Sequence, residues 1–211
     1  NSYLPGRVAE RYKNSRIVAF STGNVYPFVA INSGGLSEET TPAPVGEYGQ
    51  SCLGRERVFQ YFSEGYNIPT LIYRLNYAID LRYGVMLEIA KSVLADKPID
   101  LTTGNVNVIW QGDANEIAIR SLLHILNVTG PETLSVKWLA EQFGLLLNKR
   151  PTFVNDIQPI ALLSNASKAH KLFGYPRVTV RQMIEMTVSW LQAGGKTINK
   201  PTHFQERKGQ F

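Results

Sequence analysis

The residues of this 211-residue chain that could do chemistry lie in two short stretches. Ser21-Thr22-Gly23-Asn24-Val25-Tyr26 follows the apolar run Ile17-Val18-Ala19-Phe20, and Tyr48 sits at the start of a later helix-like segment. At the carboxyl end of a buried strand a hydroxyl binds a carbonyl or alcohol oxygen. A phenol beside it, if a cation lowers its pKa of about 10, passes the proton that must move whenever a hydride moves. That is the chemistry of an alcohol oxidation site. Taken alone, the pattern also reads as plain structure, because Ser and Thr after a strand form turns and a tyrosine on a helix packs. Other candidates are few. Cys52 is the single cysteine and has no internal disulfide partner, and His124, His170 and His203 are too widely spaced for a metal cluster.

The elements that must position these groups can be read from periodicity. Residues 4–15 predict a helix, with Val8 and Tyr12 four apart, and 16–22 a short strand of the kind buried on both faces in a parallel sheet. A polar loop rich in Gly, Pro, Ser and Thr spans 23–46. A helix over 46–65 carries Leu53, Val58, Tyr61 and Phe62 as its apolar stripe and ends at Asn67-Ile68-Pro69, before a strand at 70–79. The two strands are expected to lie side by side and parallel, with the helix crossing between them. Further on come a helix at 85–96, short strands at 99–102 and 106–110, and a helix at 114–124 opened by Asp113 with Glu116 as a capping box, then a strand at 126–129. Three more helices are predicted: one opened by Ser135 and stopped at Gly144, one from Asn165 to Gly174, and one capped by Thr179 with Gln182 and closed by Gly194-Gly195. Trp110, Trp138 and Trp190 lie within or beside these apolar elements and read as core. The alternation is that of a sheet with helices packed on it, and then a small helical lobe.

Composition bounds the function classes. With 44% hydrophobic and 18% charged residues the chain can bury a core and is not disordered. No run approaches the roughly 18 apolar residues of a membrane-spanning helix, and the first residues lack a signal-peptide layout, so a cytoplasmic protein without a membrane partner is expected. The net charge of +5 hints at nucleic acid. Much of the excess sits in the last stretch, at Lys196, Lys200, Arg207 and Lys208, where a solvated terminus is the simpler reading, and nucleic acid is not the expected partner.

RIVAFSTGNVY resembles the fifth strand, with its Ser-Ser/Thr-x-x-Val-Tyr ending, of the extended short-chain dehydrogenase/reductases, also called NAD-dependent epimerase/dehydratases. EYGQSCLGRERVF resembles their Tyr-x-x-x-Lys helix, LIYRLN the sixth strand, and VNVIWQGDANEIA the segment whose Asp opens the next helix. ILNVTGPETLSVKWLAEQFG, LLSNASKAHKLFGY and VTVRQMIEMTVSWL are similar to the substrate lobe. The resemblance implies an α/β fold: the second half of a Rossmann-type doubly wound parallel sheet over 1–110, and over 111–211 a predominantly helical C-terminal substrate lobe with a basic tail. It makes Thr22 the substrate-binding hydroxyl, Tyr48 the acid/base and Ser21 a neighbour of the nicotinamide, with Asn24, Asn76 and Tyr77 on the substrate side. It also implies NAD or NADP, a sugar-like alcohol or carbonyl as substrate, and a homodimer formed through helices 4–15 and 46–65.

Several residues depart from the family pattern. Cys52 stands where the family has the lysine that lowers the tyrosine pKa and holds the nicotinamide ribose, and a neutral thiol does neither. Arg55 and Arg57, on the same helix, are the available substitutes. As a residue in its own right, Cys52 reads as a small buried apolar group rather than a reactive thiol. The Gly-x-x-Gly-x-x-Gly turn is absent, so the sequence is expected to be a C-terminal portion lacking the first third of a complete member. Val106 occupies the place of a diphosphate-gripping arginine, Arg150 is the nearest replacement for the second, and Asn76 falls one place early with Tyr77 at the usual asparagine position. Two functions stand: an NAD(P)-dependent oxidoreductase, epimerase or dehydratase, and a non-catalytic member with a structural or nucleotide-sensing role. In either case the 211 residues alone are expected to be inactive.

Overall fold

The computed structural model describes residues 1, 3–121 and 124–209. A helix α1 (Tyr3–Arg11) leads to β1 (Ile17–Thr22), a single 3-10 turn at Gly23–Val25 and the short β2 (Val29–Ala30). Helix α2 (Gly46–Tyr66) then returns the chain to β3 (Thr70–Leu75). β1 and β3 pair in parallel, as expected, and β8 (Ile125–Val128) adds to the other side of β3. The register sets Ser21 opposite Arg74, and Arg74 opposite Asn127, so one polar row crosses the otherwise apolar sheet near its carboxyl edge.

Helix α2 buries Gly49, Cys52, Glu56 and Phe59. These positions recur at helical spacing on one face, and that face packs on the sheet. The stripe expected from the sequence is turned away from it: Leu53, Val58 and Phe62 are half-buried and Tyr61 is 66% exposed. Close approach explains the difference. A Cβ at position 49 would stand 2.5 Å from the Asn24 carbonyl oxygen, so the first turns of the helix can seat this deeply only on a glycine.

The strand expected over 70–79 is interrupted. Tyr77 takes a left-handed backbone (φ 42°), ending β3 and redirecting the chain into β4 (Ala78–Ile79), which pairs in parallel with β7 (Ile109–Trp110). Between them run α3 (Val85–Leu94), β5 (Ile99–Asp100) and β6 (Asn105–Val106). Helix α4 (Gln111–Arg120) begins two residues before the expected capping box and has no side-chain cap. Asp113 lies inside its first turn and accepts a hydrogen bond from the Val178 N–H (3.0 Å), while Glu116 pairs with Arg120 and Arg177 (2.9 Å each). The last described residue of that helix is Arg120; Leu122 and Leu123, which the sequence placed in it, lie outside the described residues.

After β9 (Leu134–Ser135), α5 (Val136–Leu147) is capped by Ser135, whose hydroxyl accepts from the Trp138 N–H, and runs past Gly144 to a left-handed stop at Asn148. Two-residue strands β10 (Phe153–Val154) and β11 (Ile160–Ala161) precede α6 (Ser167–Phe173) and α7 (Val180–Gln192). Helix α7 shows the capping box of Thr179 and Gln182 in full. α6 starts beyond Asn165, which instead accepts from the Ser167 N–H (2.9 Å). Helices α3, α5 and α7 close around Met86, Leu139, Phe143 and Met183, the largest apolar cluster, and Trp110 packs against it. Trp138, expected in the core, is 41% exposed, and Trp190 is half-exposed with its indole N–H on the Lys196 carbonyl (3.3 Å). β11 pairs antiparallel with β2, tying the segment before α6 to the loop beyond Tyr26. The basic tail is not a free terminus. Phe204 is 4% exposed within the main cluster, and Glu206, Arg207 and Gly209 lie along the carboxyl edge of the sheet.

Candidate functional site

A cleft of about 410 Å³ opens where β1 and β3 end, bounded by the loop after Thr22, the start of α2, the lobe and the C-terminal tail. Of the sequence-predicted residues, Thr22, Asn24, Tyr48, Asn76 and Tyr77 line it. The β1 terminus supplies Thr22, whose hydroxyl accepts from the Asn24 N–H (3.2 Å) and so starts the 3-10 turn while facing the cleft. The turn-former and site readings of Thr22 are therefore both met by one side chain.

Tyr48 stands on the first turn of α2, 42% exposed, and shares the cleft wall with Thr22. Burial, and then Cys52 beside it, push the phenol above its ordinary value, outweighing the lowering by the Arg55 charge and the Thr22 hydroxyl. Cys52 is fully buried among Val25, Tyr26 and Leu53 and does not line the cleft. The Arg55 guanidinium donates to its sulfur (3.4 Å), so this arginine acts on Tyr48 from behind without reaching the cleft wall. Arg57 hydrogen-bonds Gln60 on the outer face (3.2 Å).

Ser21 also stays behind the wall. Its hydroxyl donates to Glu56 (2.5 Å), which holds Arg74 through two bonds of 3.0 and 2.7 Å. Arg74 in turn donates to the Tyr26 hydroxyl (2.7 Å), and Tyr26 to the Asn127 side chain (2.9 Å). This buried, satisfied network pins the strand ends that carry Thr22 and Asn76. Its signal was present in the sequence, since Glu56 comes four residues after Cys52 and shares its face. Asn76, 2% exposed, donates to Asn107 (2.7 Å), and Asn107 to the Ser164 carbonyl (2.7 Å), so Asn76 is a wall held by the lobe. Burial pushes the Tyr77 phenol up to about 12, Arg207 opposing it. Val106 is fully buried in the apolar core, and Arg150 is exposed and away from the cleft. The residues not foreseen are Thr103, Lys200 and Arg207, which line the cleft from the lobe and the tail. Proximity to the site was invisible for them, because the fold brings them there across long stretches of chain.

No protein-family model and no curated protein sequence matches the chain. Solved structures do. UDP-glucuronic acid 4-epimerase from Bacillus cereus, in complex with a fluorinated UDP-sugar and NAD, matches at a TM-score of 0.76 and 20% identity, over 90% of this chain and 66% of that one. UDP-glucose 4-epimerase from Thermus thermophilus, in complex with NAD, matches at 0.76 and 20% identity, over 89% and 67%. dTDP-glucose 4,6-dehydratase from Bacillus anthracis, also with NAD, matches at 0.75 and 20% identity, over 89% and 65%. The chain thus spans about two thirds of these neighbours' length, and what it shares with these epimerases and dehydratases is the Rossmann-type α/β fold.

Proposed function

We propose that the cleft is the substrate side of an NAD(P)-dependent site of oxidoreductase, epimerase or dehydratase type, acting on a sugar-like alcohol or carbonyl. The observation that carries this reading is the convergence of Thr22, Tyr48, Asn24, Asn76 and Tyr77 on one cleft at the carboxyl edge of a parallel sheet, where such folds bind ligands. NAD is the cofactor the reading implies, and the neighbours solved with it support that choice. Thr22 and Tyr48, as hydroxyls on the cleft, fit the nicotinamide end. Ser21 is engaged by Glu56, Cys52 offers no ammonium to a ribose, and the glycine-rich pyrophosphate turn is not among the 211 residues. Bound nicotinamide would supply the hydride acceptor. Thr22 would then orient the reacting oxygen of the substrate, and Tyr48 would hold or release the proton at that oxygen. The protein is proposed to be a cytoplasmic homodimer joined through α1 and α2.

One observation favours a second reading, a non-catalytic relative with a structural or nucleotide-sensing role: the phenol of Tyr48 is raised rather than lowered, with a thiol in the lysine position. The two readings separate by kinetics. In the natural polypeptide containing these residues, Tyr48→Phe and Thr22→Ala should lower hydride transfer by about 10²- to 10⁴-fold, monitored by the absorbance of reduced nicotinamide. Absence of turnover with a panel of nucleotide-linked and free sugars, alongside retained nucleotide binding, would establish the second.

A further inference from the structure

The tail that lies along the cleft is an arm in two halves. In the near half Ile198 donates its N–H to the Arg82 carbonyl (3.0 Å), and Thr202 gives both its N–H and its hydroxyl to the Glu88 carboxylate (3.0 and 2.6 Å). Phe204 plugs the core two residues later. A turn forms at this point: His203 takes a left-handed backbone (φ 55°), and its carbonyl accepts from the Glu206 N–H (2.9 Å). The far half, residues 205–209, carries no apolar side chain, and Glu206, Arg207 and Gly209 line the cleft.

The two halves differ in what holds them. A buried aromatic ring and two bonds to a carboxylate fix the near half. In the far half Gln205 reaches the Asp100 carbonyl and Arg207 that of Thr102, each at 3.5 Å, the outer limit of a hydrogen bond. Arg207 also donates to the Ile160 carbonyl (2.9 Å) and lies over the Phe28 ring (4.4 Å). The end is a clasp of two glycines: Gly209 (φ 74°) crosses Gly46 (φ 76°), the first residue of α2, so closely that neither position has room for a Cβ. Next to the Arg207 contact is Thr103, 2% exposed on the cleft wall, whose hydroxyl has no hydrogen-bond partner among the described residues. A hydroxyl covered in this way disfavours the closed arrangement, and hydration removes that cost when the cover lifts.

We infer that residues 205–209 are a lid over the cleft, which swings on the turn His203–Glu206 while Phe204 stays seated, and so admits a ligand without unfolding of the protein. Phe204 is the pivot and Arg207 the latch. The glycine crossing seats the closed lid two residues before Tyr48, on the helix that carries it. A lid gates whatever ligand the cleft takes, so it stands apart from the oxidoreductase reading.

The test is the rate at which a soluble maleimide labels Thr103→Cys in the natural polypeptide containing these residues, followed by peptide mass. Cys52, fully buried and not on the cleft wall, reports global unfolding in the same sample. Position 103 should label about 10²-fold faster than Cys52 yet slower than an exposed thiol, at a rate insensitive to low urea. Gly209→Val, added to that variant, cannot make the glycine crossing. It should speed labelling at 103 by about 10- to 100-fold and leave the Cys52 rate and the melting temperature unchanged. With Thr103 intact, trypsin should cut after Arg207 faster in Gly209→Val than in the unsubstituted protein. Labelling at 103 no faster than at Cys52, a rate equal to that of an exposed thiol, or a Gly209→Val variant that changes neither labelling nor cleavage overturns the inference. So does faster labelling of Cys52 in that variant, which would make the far half part of the global fold. Hydride transfer enters none of these readouts, so a failed lid and a failed oxidoreductase reading give different results.

Discussion

Tyr48 shows how one neighbour changes what a side chain can do. An ammonium four residues on would stabilise the phenolate, whereas here burial, and then Cys52 beside it, hold the phenol above its ordinary value and outweigh the lowering by the Arg55 charge. Spectrophotometric titration should therefore find the Tyr48 phenol, identified by its loss in Tyr48→Phe, ionising above pH 10 and not near neutrality. The stability consequence has a definite sign. Tyr48 and Tyr77 both have folded-state values raised above 10.0, so their contribution is complete below that pH and is lost as pH rises through the folded values, toward about 12 for Tyr77. Melting temperature should fall over that alkaline window, and less steeply in Tyr77→Phe. Behind the wall, Glu56→Gln would leave the Arg74 charge buried and uncompensated, and should cost about 3–5 kcal/mol in denaturant unfolding. That Thr22, Asn24, Tyr48, Asn76 and Tyr77 would converge was legible from the strand ends and the start of α2, and all five line one cleft. Cys52 is buried, as its own residue type suggested, whereas the place of Ser21 behind the cleft wall was not legible, since spacing along a strand gives a face but not which layer covers it.

At the scale of elements, the parallel pair β1 and β3 and the crossing α2 were legible because short apolar runs and a long helical stretch leave few connections. The buried face of α2 was not, because only Phe59 on it is strongly apolar, beside the small Gly49 and Cys52 and the charged Glu56, and hydropathy favours Leu53 and Tyr61 instead. Asp113 misled for a related reason: its carboxylate satisfies the Val178 N–H across the structure, a demand that no local pattern reveals. The arm is the clearest case. Its charges suggest solvent, yet Phe204 anchors it in the core. Phe204→Ala should destabilise the protein by about 3–5 kcal/mol.

For the whole molecule, α1 and α2 leave Tyr3, Tyr61 and Tyr66 on the outside, 83%, 66% and 56% exposed. A two-fold helical bundle through this face would cover them, and light scattering should return about twice 23.6 kDa, falling toward the monomer in Tyr61→Glu. If the cleft is an oxidoreductase-type site with a thiol in place of the lysine, Cys52→Lys in the natural polypeptide should restore part of its chemistry, with NAD affinity and melting temperature measured together. Cys52 is fully buried beside Val25 and Tyr26, so the new ammonium should lower the melting temperature. NAD should nevertheless bind more tightly, and the Tyr48 phenol should ionise at lower pH. A lost melting temperature with NAD affinity and phenol ionisation unchanged would contradict the oxidoreductase reading and leave the non-catalytic one in its place.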